Sequence, residues 1–399
     1  MPEFVPGPFS VPRRTLMGPG PLNIHPRVLR AMSTPITGYL DTAYFKVLDE
    51  VVEMLRHVYQ TTARTMAVSG SGSAGMEAGL TSLLEPGQKV IICSYGYFCE
   101  RMVSMAERIG AEVIQVRSEW GRVMDRALLR TALERNKDVR LVTAIQAETS
   151  TGVLQPVAEL SKLAHDHGAL FMVDCVTSFA GAEIKFDGWD IDYAYSAPQK
   201  CLAGPPGVSL VALSERGMQA VRGRKRPPSS WCFDLGLIAD YWGPEHKHHH
   251  TSPIPLIFGV REALAMALEE GVPQRIERHA RVAEAFRAGV TALGLRLPIP
   301  PDSRLNQLTV IGVPAGIDDQ KVRQQLLDHH GIEIGRGLGQ FQGKVWRVGL
   351  MGESSQPANV LALLSALERV LPEFGHEVAS GAGVTAASRV FAEKPVQVP

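Results

Sequence analysis

The sequence carries no surplus of either charge. Its 41 lysines and arginines equal its 41 aspartates and glutamates, and its pI is near 7.2. No basic or acidic excess therefore argues for nucleic acid or a membrane surface as a main partner. Cysteine is scarce, with five residues (Cys93, Cys99, Cys175, Cys201 and Cys232) and no Cys-x-x-Cys spacing. An odd, scattered set excludes a disulfide framework and leads us to expect reduced thiols. No uninterrupted apolar run reaches the roughly 18 residues that a membrane span needs. The first residues, Met1-Pro-Glu-Phe-Val-Pro-Gly-Pro8, lack a charged leader segment, and Val396-Gln-Val-Pro399 is no peroxisomal signal. The expectation is a cytoplasmic protein. No internal repeat is present.

What is present is alternation. From about residue 64, short β-branched runs alternate with amphipathic stretches. The runs include Thr65-Met-Ala-Val68, Lys89-Val-Ile-Ile-Cys93, Glu112-Val-Ile-Gln-Val116, Arg140-Leu-Val-Thr-Ala-Ile145, Ala169-Leu-Phe-Met-Val173 and Val208-Ser-Leu-Val-Ala-Leu213. This spacing predicts an α/β fold with a mostly parallel sheet covered by helices on both faces. Ligands of such sheets bind beyond the carboxyl ends of the strands. Residues 1–21 read as an N-terminal arm, 22–270 as a large domain, 271–378 as a smaller α+β domain, and 379–399 as a tail with a short helix.

Two residues at strand ends set the chemistry. Asp174 closes the run Ala169-Leu-Phe-Met-Val-Asp174, and Lys200 follows Tyr193-Ala-Tyr-Ser196. Taken singly, these are a strand-capping aspartate and a surface lysine. Together they suit a pyridoxal phosphate (PLP) site, in which a lysine bonds to the aldehyde and an aspartate pairs with the pyridinium nitrogen. Ser69-Gly-Ser-Gly-Ser73 lies between a strand and a helical pattern. Its glycines allow close backbone approach, and the helix start offers free N–H groups to a phosphate. The same loop without a ligand is simply flexible, and it lacks the lysine of a P-loop.

His246, His248, His249 and His250 stand just before Thr251. The spacing is too tight for a tetrahedral zinc site and no metal is expected. Imidazole and hydroxyl donors to a phosphate fit better. Arg347 lies within the apolar strand-like run Val345-Trp-Arg-Val348 and needs an anionic partner there. That partner is either an internal carboxylate or the carboxylate of a substrate gripped bidentately.

The chain resembles the class V aminotransferases of PLP fold type I, and within them the alanine–glyoxylate and serine–pyruvate aminotransferases. The resemblance runs from Met17-Gly-Pro-Gly-Pro21 to about residue 370. It is carried by Ser69–Ser73, Glu148-Thr-Ser-Thr-Gly-Val-Leu-Gln-Pro156, Val173-Asp-Cys-Val-Thr-Ser178, Gln199-Lys-Cys201, Pro205-Pro-Gly207, His249-His-Thr251 and Gly343-Lys-Val-Trp-Arg-Val-Gly349. It implies that Lys200 is the cofactor-bonding lysine and Asp174 the pyridinium partner. Val176 would pack on one ring face and Phe98 on the other, with Thr149 near the ring oxygen. Ser71, Gly72, Ser73 and Gln199 would hold the phosphate. His248 and Thr251 would reach the cofactor of a neighbouring subunit, so a homodimer with shared sites is implied. Arg347 would clamp the substrate carboxylate, with Gly38 and Tyr39 on the substrate loop and Arg336 as a second arginine nearby.

The sequence departs from the family at three positions, the first being Phe98, where many members carry tryptophan. Alanine–glyoxylate members usually carry tyrosine where His248 stands. The similar ureidoglycine–glyoxylate branch carries asparagine there and glutamine in place of Tyr39. The implied reaction is a ping-pong transfer from a small amino acid, alanine or serine, to glyoxylate or pyruvate. The alternatives are ureidoglycine as donor, or a PLP lyase or desulfurase. A desulfurase needs a mobile acceptor cysteine, and none of the five lies in a recognisable acceptor loop.

Overall fold

The computed structural model describes residues 7–393 and 396. Its centre is a seven-stranded sheet in the order Arg64–Ser69, Val208–Leu213, Tyr193–Ser196, Leu170–Asp174, Val139–Ile145, Lys89–Ser94, Glu112–Arg117. Every pairing is parallel except those of Val208–Leu213, which runs antiparallel to both neighbours. The mostly parallel α/β sheet expected from the alternation is thus the architecture found. Its central strands are buried on both faces, which is why Leu170-Phe-Met-Val-Asp174 reads as continuous rather than alternating.

Helices cover the sheet. The helix Thr42–Tyr59 starts where Asp41 accepts a hydrogen bond from the Ala43 N–H, and it buries Tyr44, Leu48, Val51, Leu55 and Val58 at helical spacing. The helix Ile254–Glu270 runs straight into Val272–Ala292 through Gly271, whose φ of +85° few other residues adopt. This bend leads from the large apolar core to a second core containing Val282, Phe286, Trp346, Val348, Leu363 and Leu367. The second core lies against an antiparallel sheet in the order Leu308–Gly312, Val345–Gly349, Gly335–Arg336.

The two chain ends both join this smaller unit. Thr15–Leu16 pairs in parallel with Ile332–Glu333, and Met17 is fully buried in the second core. Among the described residues of the arm, only Thr15–Leu16 is in a regular element; 7–14 and 17–21 are not. The helix Ala382–Glu393 is held by Glu368, which accepts hydrogen bonds from the N–H groups of Gly381, Gly383 and Val384. A carboxylate at a helix start satisfies free donors and favours the dipole. Residues 394, 395 and 397–399 of the tail lie outside the described residues. No helix among the described residues is long and apolar enough to cross a membrane.

Candidate active site

Parallel strands send their carboxyl ends to one edge of the sheet, and the loops leaving them carry the candidate residues. Ser71 follows Arg64–Ser69, Thr149 follows Val139–Ile145, Asp174 ends its strand, and Lys200 follows Tyr193–Ser196. These four line one cavity of about 240 Å³, together with Gly72, Ser73, Phe98, Val176 and Gln199. Nine residues proposed from the sequence are therefore brought together. Arg101 shares the same lining and was not singled out by the sequence.

Asp174 is held on both oxygens. The Tyr195 hydroxyl donates to one at 2.6 Å, and the Val176 N–H donates to the other at 2.7 Å. Burial still outweighs these bonds and pushes the carboxyl up to about 6. Tyr195 stands beside Asp174 because the strands pair Asp174 with Tyr195. Only that register could have revealed it, since Tyr193 and Tyr195 both read as core residues.

Lys200 is pressed from above by the N-terminal turn. Its ammonium donates to the Pro19 carbonyl, and a Cβ on Gly20 would lie 2.7 Å from both Cδ and Nζ. Gly20 also has a φ of +99°, so this close approach and this backbone both require glycine. Burial, and then the positive charge of Arg347, bring the Lys200 amine down to about 8. Lowering the amine in this way enlarges the neutral fraction that can act as nucleophile or base.

The Ser71 side chain caps the helix Gly72–Leu83 by accepting from the Ser73 N–H. A Cβ on Gly72 would lie 2.9 Å from Val176, so the helix start meets the opposite wall of the cavity closely. The buried Gln199 side-chain oxygen has no hydrogen-bond partner, an acceptor in want of a donor at the cavity edge.

Arg347 is buried and enters no ion pair among the described residues. Its Nε donates to the Arg336 carbonyl at 2.6 Å and its Nη1 to the Thr149 carbonyl at 3.1 Å. Burial lowers it to about 10, against the opposing pull of Glu148. The internal carboxylate partner that its strand position allowed is absent from its hydrogen bonds. The side chain of Arg336 is exposed.

Glu148, fully buried, ties the Phe98 helix start to the loop that carries Thr149. It accepts from the Phe98 N–H at 3.2 Å and the Ser150 N–H at 2.9 Å, and burial raises its pKa. Gly96 packs so closely on it that a Cβ there would lie 2.3 Å from Glu148 Cγ.

Gly38, Tyr39, His248, Thr251, Arg336 and Arg347 do not line this cavity. Gly38, His248 and Thr251 are exposed, and the rings of Tyr39 and His248 lie against each other at 4.9 Å. The other histidines of this segment have partners of their own, and His249 and His250 also meet each other at 2.8 Å. His246 stacks on Phe45, His249 on Trp231, and His250 meets the Ser69 hydroxyl at 2.5 Å. Among the described residues, no group of three or more His, Cys, Asp or Glu is gathered to hold a metal.

A lysine and a carboxylate at adjacent strand ends, beside an anion-ready helix start, define an enzyme site for a phosphorylated aldehyde. The class V aminotransferase family matches residues 39–343, and the chain belongs to that family. It is a transaminase, and PLP is its cofactor. The chain is 37% identical to the (S)-ureidoglycine–glyoxylate transaminase of Bacillus subtilis over 96% of each chain. The crystal structure of the B. subtilis ureidoglycine–glyoxylate aminotransferase superposes with a TM-score of 0.94, at 38% identity, over 96% of this chain and 99% of that one. An alanine–glyoxylate aminotransferase from Nostoc sp. is 42% identical with a TM-score of 0.91, over 92% of this chain and 98% of that one. The alanine–glyoxylate aminotransferase of Oryctolagus cuniculus is 37% identical over 93% of this chain and 95% of its own. The residues present fit the cofactor. A depressed lysine, a doubly hydrogen-bonded aspartate and a capped helix start answer its aldehyde, ring nitrogen and phosphate in turn.

Proposed function

We propose that this transaminase moves the amino group of a small amino acid, alanine or serine, to glyoxylate or pyruvate. The observation that carries the reading is Arg347, a buried guanidinium without a carboxylate partner, electrostatically coupled to the Lys200 amine. A buried arginine of this kind is costly unless it meets an anion in the working state. A substrate carboxylate supplies one, and every amino acid donor and 2-oxo acid acceptor has it.

When bound, PLP supplies an electron-poor ring that takes up the electron pair released at the substrate α-carbon. Asp174 would hold the ring nitrogen as its anionic partner, with Tyr195 and Val176 N–H keeping that carboxylate oriented. Ser71, Gly72, Ser73 and Gln199 would bind the phosphate, Phe98 and Val176 would flank the ring, and Thr149 would lie near the ring oxygen. Lys200 Nζ, partly neutral near pH 8, takes the substrate α-proton as general base. The exposed His248 and Thr251 would complete the site of a second copy, and Gly38 and Tyr39 would lie on the substrate loop. A homodimer with shared sites is thus part of the proposal.

The test is Arg347→Lys, which keeps the charge and loses the forked geometry. The loss in kcat/KM should be about 2–4 kcal/mol for every donor and acceptor alike. Cofactor affinity should change little. Arg336→Lys is the control, and a large loss there with a silent Arg347→Lys would reject the assignment.

Ureidoglycine as donor is a second reading, favoured by the 37% identity to the B. subtilis transaminase over 96% of both chains. Single half-reactions with alanine, serine and ureidoglycine, each followed to pyridoxamine phosphate, separate the two. The reading is decided by which donor converts the cofactor fastest.

A further inference from the structure

The phosphate ligands proposed from within one subunit are all neutral. Ser71, Gly72, Ser73 and Gln199 offer hydroxyls, backbone and an amide, whereas a phosphate monoester near pH 7 carries a charge of about −1.5 to −2. A helix start contributes only about half a positive charge. The cavity lining contains two cations, Lys200 and Arg101. Lys200 is committed to the aldehyde end, so the balance falls to Arg101.

Arg101 lies on the helix Tyr97–Arg108, one turn beyond Phe98. Its Nη1 donates to the Ser73 hydroxyl at 3.1 Å, which sets the guanidinium at the helix start that Ser71 caps. Its guanidinium carbon is 4.8 Å from the centre of the Phe98 ring. Arg101 enters no ion pair among the described residues, so its charge is not spent within the chain. It already acts electrostatically on both Asp174 and Lys200.

Resting on the cofactor reading above, we propose that Arg101 is the counter-charge of the cofactor phosphate, supplied by the same subunit that supplies Lys200. It bonds to the phosphate beside the Ser73 hydroxyl while its plane stays against Phe98. One side chain thereby links the phosphate grip to the aromatic that flanks the ring.

The experiment compares PLP with pyridoxal, which has the same ring and aldehyde but no phosphate. Apoprotein of the full chain is titrated with each, for wild type, Arg101→Gln and Arg101→Lys. Inorganic phosphate is added as a competitor against PLP. A charged hydrogen bond predicts about 10–100-fold weaker PLP binding in Arg101→Gln. Pyridoxal affinity should change far less than PLP affinity, inhibition by inorganic phosphate should weaken in parallel with PLP, and Arg101→Lys should recover most of the loss. Unchanged PLP affinity in Arg101→Gln overturns the proposal. So does an equal loss for PLP and pyridoxal, which would mean that Arg101 acts only by holding Phe98. A wild-type chain that takes up neither ligand overturns the cofactor reading itself, a result separate from the other two.

Discussion

Replacing Tyr195 with phenylalanine removes one oxygen and leaves the ring to fill the same space. The lost group is the hydroxyl that donates to Asp174 at 2.6 Å inside a buried site, leaving the Val176 N–H as the remaining bond to that carboxylate. A hydrogen bond to a charged acceptor is worth about 1.5–3 kcal/mol, which corresponds to about 1–2 pKa units. The Asp174 carboxyl begins near 6, held up by burial. Without Tyr195 it should rise to about 7–8. The sign follows directly. A raised pKa means that Asp174 is protonated over a wider range as pH falls, and a neutral carboxyl cannot pair with a protonated ring nitrogen. Apoprotein affinity for PLP is measured across pH for wild type and Tyr195→Phe, and the ratio is taken so that the groups common to both cancel. The ratio should be near one where both carboxyls are ionised, at about pH 9, and should reach about 10–100-fold below pH 6. A ratio that does not vary with pH would refute the reasoning, because Tyr195 would then not be tuning Asp174.

Lys200→Ala should abolish the visible absorption band of the bound cofactor and lower turnover by several orders of magnitude, while phosphate-dependent binding persists. Arg347→Gln removes the second cause of the depressed Lys200 amine but not burial, the first. The pH midpoint for pyridoxal capture by the apoprotein should therefore rise above about 8 without reaching the ordinary lysine value of 10.5. Gly20→Ala sets a Cβ against the Lys200 side chain at a positive φ, and should destabilise the apoprotein by about 1–3 kcal/mol in urea unfolding. Glu270→Gln leaves Arg275 and Arg278, both bonded to Glu270 at 2.5–2.6 Å, without a buried counter-charge. It should cost about 3–5 kcal/mol by the same measurement.

The parts of the site legible in the sequence were those written at strand ends. Asp174, Thr149, Ser71 and Lys200 follow apolar runs, and a parallel sheet sends such positions to one edge. Tyr195 was hidden because its identity as a partner depends on the register between two strands, which no local pattern encodes. Arg101 was hidden in a helix with charged residues on its outer face, where one inward arginine has no distinct spacing. The antiparallel strand Val208–Leu213 has the same apolar texture as its parallel neighbours. Direction is decided by where the chain comes from, not by composition. The pairing of Thr15–Leu16 with Ile332–Glu333 likewise joins short segments with no mutual signal in the sequence.

That last pairing bears on the order in which the molecule can be finished. Residues 15–20 emerge from the ribosome more than 300 residues before their strand partner Ile332–Glu333, and their cover rests on Lys200. The large sheet can assemble as soon as its own strands are available, since its last strand ends at Leu213. The roof over the lysine has to wait until Ile332–Glu333 has been made. Closing so long a loop costs only slightly more than closing a short one, so the delay is one of synthesis rather than of stability. During translation Lys200 is thus open to its aldehyde before the Pro19–Gly20 turn can cover it. Cofactor capture can precede the completion of the enzyme that uses it.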